Sequence, residues 1–225
     1  RKAMKEVTGL LVMDVDGTLI QQEGIDLLAQ EAGVGQKVAE ITAQAMNGEL
    51  DFAASLQARV ALLKGLETSI FPIILEQIEV TPGAESLITE LHQRGYMVGL
   101  VSGGFHEVID PIASSLGIDL VRANRLQTFD GRLTGKVLGE IVTPERKKDS
   151  LRTWARENHI PRSQTIAMGD GANDLPMIET AGIGIAFMAK PIVAERAPYR
   201  IETRDLSLVL EILDQHRKET ACISY

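Results

Sequence analysis

Two carboxylates separated by one residue close an apolar run, Leu10-Leu11-Val12-Met13-Asp14-Val15-Asp16-Gly17-Thr18-Leu19. Carboxylates this close can divide nucleophilic and acid–base roles or grip a hard cation, because they repel each other unless a cation or a shared proton compensates. Asp-Gly is also an ordinary turn signal, so the segment taken alone could simply cap a strand. Two further stretches add to the case for chemistry. Val101 is followed by Ser102-Gly103-Gly104, a hydroxyl with unobstructed backbone donors. Met168 is followed by Gly169-Asp170-Gly171-Ala172-Asn173-Asp174, a second carboxylate-rich turn. Hydroxyl, backbone-donor and carboxylate groups together suit a phosphoryl group and a metal.

Each stretch follows a short apolar run, which fits a buried strand of a parallel sheet that exposes chemistry only at its end. Ala84 to Arg94 reads as a helix ended by Gly95, Tyr96 to Val101 as a buried strand, Phe105 to Leu116 as a helix capped by Gly117, and Leu120 to Ala123 as a strand. Gln127 to Val137 alternates about Asp130-Gly131, a strong hairpin signal. Glu145 to Asn158 reads as a helix, Thr165 to Met168 as a strand, a helix runs through Ile178 to Gly182, Ile183 to Ala186 is a short strand, and Leu206 to His216 is a final helix. This alternation predicts an α/β fold, a Rossmann-like parallel sheet with helices on both faces and ligands at the strand ends.

From Glu23 to Glu79 the pattern is helical throughout. Ile25, Leu28, Ala29 and Ala32 mark one helix, Val38, Ile41, Thr42 and Ala45 a second, and Phe52, Leu56, Val60 and Leu63 a third, with Gly33, Gly48 and Gly65 at their C-terminal ends. Roughly four helices in a row exceed the needs of one βαβ crossover. The expectation is a small helical cap, residues 21–79, inserted after the first strand into a core of residues 1–20 and 80–225.

The 225 residues carry 31 acidic and 23 basic side chains, a net charge of −8 that argues against nucleic acid or an anionic membrane as partner. A small anion would need a local positive site. The single cysteine, Cys222, cannot form an internal disulfide. No apolar stretch has the length of a membrane span, and Arg1-Lys2-Ala3-Met4-Lys5-Glu6 lacks the apolar region of a signal peptide, so a cytoplasmic location is expected. The chain begins at Arg1, not Met, and residues upstream are left open.

Taken together these segments resemble the haloacid dehalogenase (HAD) superfamily of phosphotransferases. Asp14-Val15-Asp16-Gly17-Thr18 is similar to its first motif, Val101-Ser102-Gly103-Gly104 to its second, Lys147 to its third and Gly169-Asp170-Gly171-Ala172-Asn173-Asp174 to its fourth, in order along essentially the whole chain. The second and fourth motifs, continued by Phe105 and by Leu175-Pro176-Met177, most resemble the phosphoserine phosphatase branch. Val15 stands where that family commonly has Phe, at a position expected to contribute mainly backbone.

The resemblance implies Mg²⁺-dependent hydrolysis of O-phospho-L-serine to L-serine and phosphate through an aspartyl-phosphate, the last step of serine biosynthesis. Asp14 would be the nucleophile, Asp16 the proton shuttle and Lys147 a point charge on the phosphate. Asp14, the backbone carbonyl of Asp16 and Asp170 would hold the metal, with Asn173 and Asp174 orienting from close by. Ser102, Gly103, Gly104, Lys147 and Asn173 would receive the phosphate. Within the insertion, Phe52 matches a substrate-reading position, Arg59 suits the carboxylate and Glu23 the ammonium. On residue type alone Lys147 is not distinguishable from Lys148, and Asn173 and Asp174 read equally well as helix N-caps. The alternatives are a HAD phosphatase for another small phosphomonoester, a phospho-acceptor signalling domain, which needs no helical insertion, and a protein that kept the fold without the activity. The expected partner is a small phosphomonoester; a homodimer is left open.

Overall fold

A computed structural model describes residues 6–223; the N-terminal segment 1–5 read above lies outside them. The chain runs β1 (Gly9–Met13), α1 (Gly24–Glu31), α2 (Gly35–Met46), α3 (Phe52–Ala61), α4 (Ile70–Gln77), α5 (Ala84–Gln93), β2 (Tyr96–Phe105), α6 (His106–Leu116), β3 (Leu120–Phe129) and β4 (Arg132–Leu138). It continues through α7 (Pro144–Glu157), β5 (Thr165–Gly169), α8 (Leu175–Thr180), β6 (Ile183–Phe187), α9 (Pro191–Arg196), β7 (Tyr199–Ile201) and α10 (Leu208–Ile223).

The strands form one sheet in the order β4-β3-β2-β1-β5-β6-β7. Every pairing is parallel except that of β3 with β4, which are joined by the Asp130-Gly131 turn. Both turn residues have positive φ, 50° and 73°, as a two-residue hairpin with right-handed strand twist requires. Successive strands leave β1 in opposite directions, so the sheet reverses between β1 and β5, where open α/β sheets bind ligands.

Alternation along the strands explains the two covered faces. Leu11, Met13, Val98, Leu100, Ile166 and Met168 join the apolar cluster that includes α5, α6, α10 and the helices of the insertion. Leu10, Val12, Val101 and Ala167 point the other way, onto Leu151 and Trp154 of α7, Met177 and Ile178 of α8, and Val193 of α9. Helices α1 to α4 lie between β1 and α5 in sequence. The chain enters and leaves this excursion at one place: Gln21 N–H donates to the Glu79 carbonyl at 3.0 Å, Thr81 N–H to that of Leu19 at 2.8 Å, and Ile20 and Val80 pair antiparallel. On its far side the excursion is tied to the hairpin, with Gly65 N–H donating to the Leu133 carbonyl and Leu133 N–H to that of Leu66, both at 2.8 Å.

Several boundaries differ from the sequence reading. β2 does not stop at Val101 but runs to Phe105, and Ser102-Gly103-Gly104 is the irregular stretch where its register against β3 shifts. β3 extends to Phe129 because it continues directly into the hairpin. The last helix starts at Leu208 and passes His216 to Ile223, while α9 and β7 carry too few residues for a periodic signal. Among the described residues no helix is long and apolar enough to cross a membrane.

Candidate active site

β1 and β5 lie side by side and end together, and the Asp14 amide donates to the Met168 carbonyl at 3.0 Å. This register places Asp14 beside the loop that begins at Gly169. Asp170 approaches from there, held by the Thr18 hydroxyl, which donates to its Oδ1 at 3.1 Å. Gly17 makes the approach possible. Its φ is +76°, and a Cβ there would lie 2.6 Å from Asp170 Oδ2.

Lys147 reaches the same point from α7. Thr143 caps that helix by accepting the Arg146 amide, and Pro144 follows at the first position, which fixes the start of the helix. Lys147 then shares the buried face with Ser150, Leu151, Trp154 and Ala155. It is wholly buried, and its Nζ donates to Asp14 Oδ1 and Asp174 Oδ1, each at 2.8 Å. Lys148 points outward to Glu145. Geometry therefore separates two lysines that residue type could not.

Asp174 is fully buried, and its other oxygen accepts the amides of Gly171 at 3.1 Å and Asp170 at 3.2 Å. Its carboxylate does not cap α8. One oxygen from each of Asp14, Asp170 and Asp174 lies within 4.8 Å of the others. Burial, with repulsion among Asp14, Asp170 and Asp174 added to it, pushes the acids of this centre up: Asp14 and Asp174 to about 6, Asp16 to about 7, and Asp170 upward. Burial pulls Lys147 down, but Asp14 and Asp174 outweigh it and raise its pKa. One lysine thus faces more carboxylate than it can balance. Hard oxygen donors in excess of the local positive charge fit a divalent cation on Asp14 and Asp170, with Asp174 committed to Lys147 and the loop amides.

Beside this centre, Asp16 Oδ1 accepts the Gly24 amide at 3.3 Å. Ser102 is buried, and its Oγ accepts the Gly104 amide at 2.8 Å. The tight turn folds the Gly104 amide back onto Ser102, while the Ser102 O–H stays available. Asn124 Nδ2 donates to the Gly103 carbonyl at 2.9 Å and steadies the turn.

A cavity of about 160 Å³ opens over these groups, lined by Asp14, Asp16, Gly103, Gly104, Asp170 and Asn173 from the sheet edge and by Glu23, Phe52 and Arg59 from the insertion. The Phe52 ring lies over Gly103, where a Cβ would come within 3.1 Å of Cζ. Burial raises the Glu23 carboxyl, with Asp16, Asp14 and Asp170 adding repulsion, while burial lowers Arg59 against the pull of Asp26 and Glu23.

Residues 11–179 match the model of the haloacid dehalogenase-like hydrolase family. The chain belongs to this family. It is 63% identical over 212 residues to the phosphoserine phosphatase of Streptococcus thermophilus, covering 94% of this chain and 99% of that relative. A solved structure of a phospho-aspartyl intermediate analogue of phosphoserine phosphatase is 45% identical, covers 92% of this chain and 99% of its own, and superposes with a TM-score of 0.85. A substrate-bound phosphoserine phosphatase complex is 44% identical, covers 91% and 98%, and also scores 0.85.

Of the residues expected from the family motifs, Asp14, Asp16, Glu23, Phe52, Arg59, Gly103, Gly104, Asp170 and Asn173 line one cavity. Lys147 lies beneath it, and both its hydrogen bonds go to carboxylates. Three groups were missed. Thr18 was quoted within the first motif but given no role. Asn124 lies one residue beyond the strand read at Leu120 to Ala123 and carried no expectation. Lys190, which also lines the cavity, follows β6 at the edge where the other chemistry follows its strands.

Proposed function

We propose that this chain is a phosphoserine phosphatase, hydrolysing O-phospho-L-serine to L-serine and phosphate. The observation that carries the reading is that Asp14, tethered by a buried lysine, shares one small cavity with an acid, Glu23, and an arginine, Arg59, from the insertion. The cavity falls below the roughly 300–1,000 Å³ of pockets for drug-sized ligands. That size favours a small monoester over a nucleotide.

Lys147 holds Asp14 Oδ1, which leaves Oδ2 to attack phosphorus. The bond from Asp14 to phosphorus forms as the bond to the serine oxygen breaks, and Asp16 gives its proton to that oxygen. Asp16 suits the task, because burial and the Asp14 charge raise it to about 7 and keep a proton on it near neutrality. In the second half, Asp16 takes a proton from the water that attacks phosphorus, and Asp14 leaves as carboxylate. Mg²⁺ bound by Asp14 and Asp170, with the Asp16 carbonyl, would offset charge on the phosphoryl oxygens. Ser102 and the Gly103 turn receive those oxygens, with Asn173 beside them.

Arg59 takes the substrate carboxylate with its planar fork, and Glu23 takes the ammonium. Burial first, and then the neighbouring acids, raise Glu23, and an ammonium is the charge that would compensate both. Residues 21–79 act as the cap that closes this end, excluding water. The enzyme works in the cytoplasm.

Phosphate release from L-phosphoserine with and without Mg²⁺ tests the reading. Asp14→Asn is expected to lose about a thousand-fold or more in kcat; undiminished turnover would sink the mechanism. Arg59→Ala should raise KM for L-phosphoserine sharply and leave p-nitrophenyl phosphate nearly unaffected. Equal losses on the two esters would remove Arg59 from specificity.

A further inference from the structure

The charges facing the cavity do not favour a dianion as they stand. Asp14, Asp16, Glu23 and Asp170 line it, against Arg59 and Lys190. Lys147 is buried beneath the cavity lining, and two of its three donors go to Asp14 and Asp174, whose charges offset its own. Arg59 sits on α3 within the pull of Asp26 and Glu23, and its Nε donates to the Ser55 carbonyl at 3.3 Å. Lys190 differs from both. Its side chain is exposed, and its ammonium has no hydrogen-bond or ion-pair partner among the described residues.

An unpaired surface lysine is ordinary; one fixed at the rim of an acidic cleft is not. The Lys190 amide donates to the Asp170 carbonyl at 3.2 Å, which ties its backbone to the loop that presents Asp170. Pro191 follows at the start of α9 and narrows the backbone further. The flexible stem therefore starts from a set point beside Asp170, whereas Arg59 enters the same cavity from helix α3. A compact ammonium on such a stem suits a phosphate, whereas the planar fork of Arg59 suits a carboxylate.

We propose that Lys190 is a phosphate-binding residue that draws the phosphate group of the substrate into the cleft and holds it at the Asp170 end. The inference rests on the phosphatase reading above and adds a residue to it. Lys190 supplies the unpaired positive charge that an incoming phosphate meets before the four carboxylates. The same contact holds inorganic phosphate as product.

The test uses the full chain at saturating Mg²⁺, with Lys190→Gln and Lys190→Arg checked for unchanged melting temperature. Lys190→Gln should raise KM for L-phosphoserine about tenfold, the loss of one charge-assisted contact, with kcat within about twofold. Its kcat/KM should depend less on ionic strength than that of the wild type, since a steering charge is gone. Inhibition by inorganic phosphate should weaken by the same factor, inhibition by L-serine should not change, and Lys190→Arg should restore most of the loss. An active wild type with a Gln variant unchanged in KM and phosphate inhibition overturns the inference, as does a variant that loses L-serine inhibition instead. Calorimetry with inorganic phosphate separates the two readings. A wild type inert on L-phosphoserine whose phosphate affinity still drops in the Gln variant overturns the substrate assignment and supports the role of Lys190.

Discussion

At Lys147 one side chain settles two acids. Its removal strands Asp14 and Asp174 as buried charges with too little compensation, so Lys147→Ala should cost about 3–5 kcal/mol of stability, read by denaturant melts. Lys148→Ala, at a surface pair with Glu145, should cost under about 0.5 kcal/mol. Similar losses in both would contradict the burial difference. Asp16 gives a second contrast. Asp16→Asn should slow release of serine, a poor leaving group, by about a hundredfold or more, and slow formation of p-nitrophenolate far less, because that group departs without a proton. The two aspartates were legible in the sequence since their strand end is local. The choice of Lys147 was not, because its partners lie 133 and 27 residues away and only the folded chain brings them together.

Elements set how closely these groups meet. Helix α7 was legible as Glu145 to Asn158, within a residue of its bounds at each end, and the hairpin as Asp130-Gly131, since both signals are written in neighbouring residues. The irregular end of β2 was not, because it comes from pairing with β3 across a register shift. Nor were α9 and β7, whose 6 and 3 residues are too few to show a period. The contact of α3 with β2 can be tested at Gly103. A methyl group there would meet the Phe52 ring at 3.1 Å, so that ring must yield by a few tenths of an ångström. Gly103→Ala should raise KM for L-phosphoserine severalfold, and Gly103→Ala with Phe52→Leu should recover part of it. An additive double variant would show that ring and turn do not communicate.

For the molecule as a whole, the site trades stability for charge. Asp14 and Asp174 near 6 and Asp16 near 7 hold protons in the folded state that the unfolded chain has already released above about 4. The folded state then binds more protons, so this contribution is present at low pH and is lost as pH rises through about 6 to 7. A divalent cation bound by these carboxylates would take the place of those protons. The gain in melting temperature on adding Mg²⁺ should therefore be larger at pH 7.5 than at pH 5, and Asp14→Asn should shrink the difference. Equal gains at both pH values would disconnect the cation from these carboxylates.

The paired backbones at Ile20 and Val80 have a consequence for how such a molecule can vary. Where the two chain ends of an excursion are already zipped together, its length enters the free energy of closure only logarithmically. From the sheet, the whole stretch between them looks like a single hairpin loop. Beyond that point helices can be lengthened or exchanged without moving the place where the chain leaves and rejoins the sheet, so the residues that the insertion brings to the cavity can change while Asp14 and Asp16 keep their register.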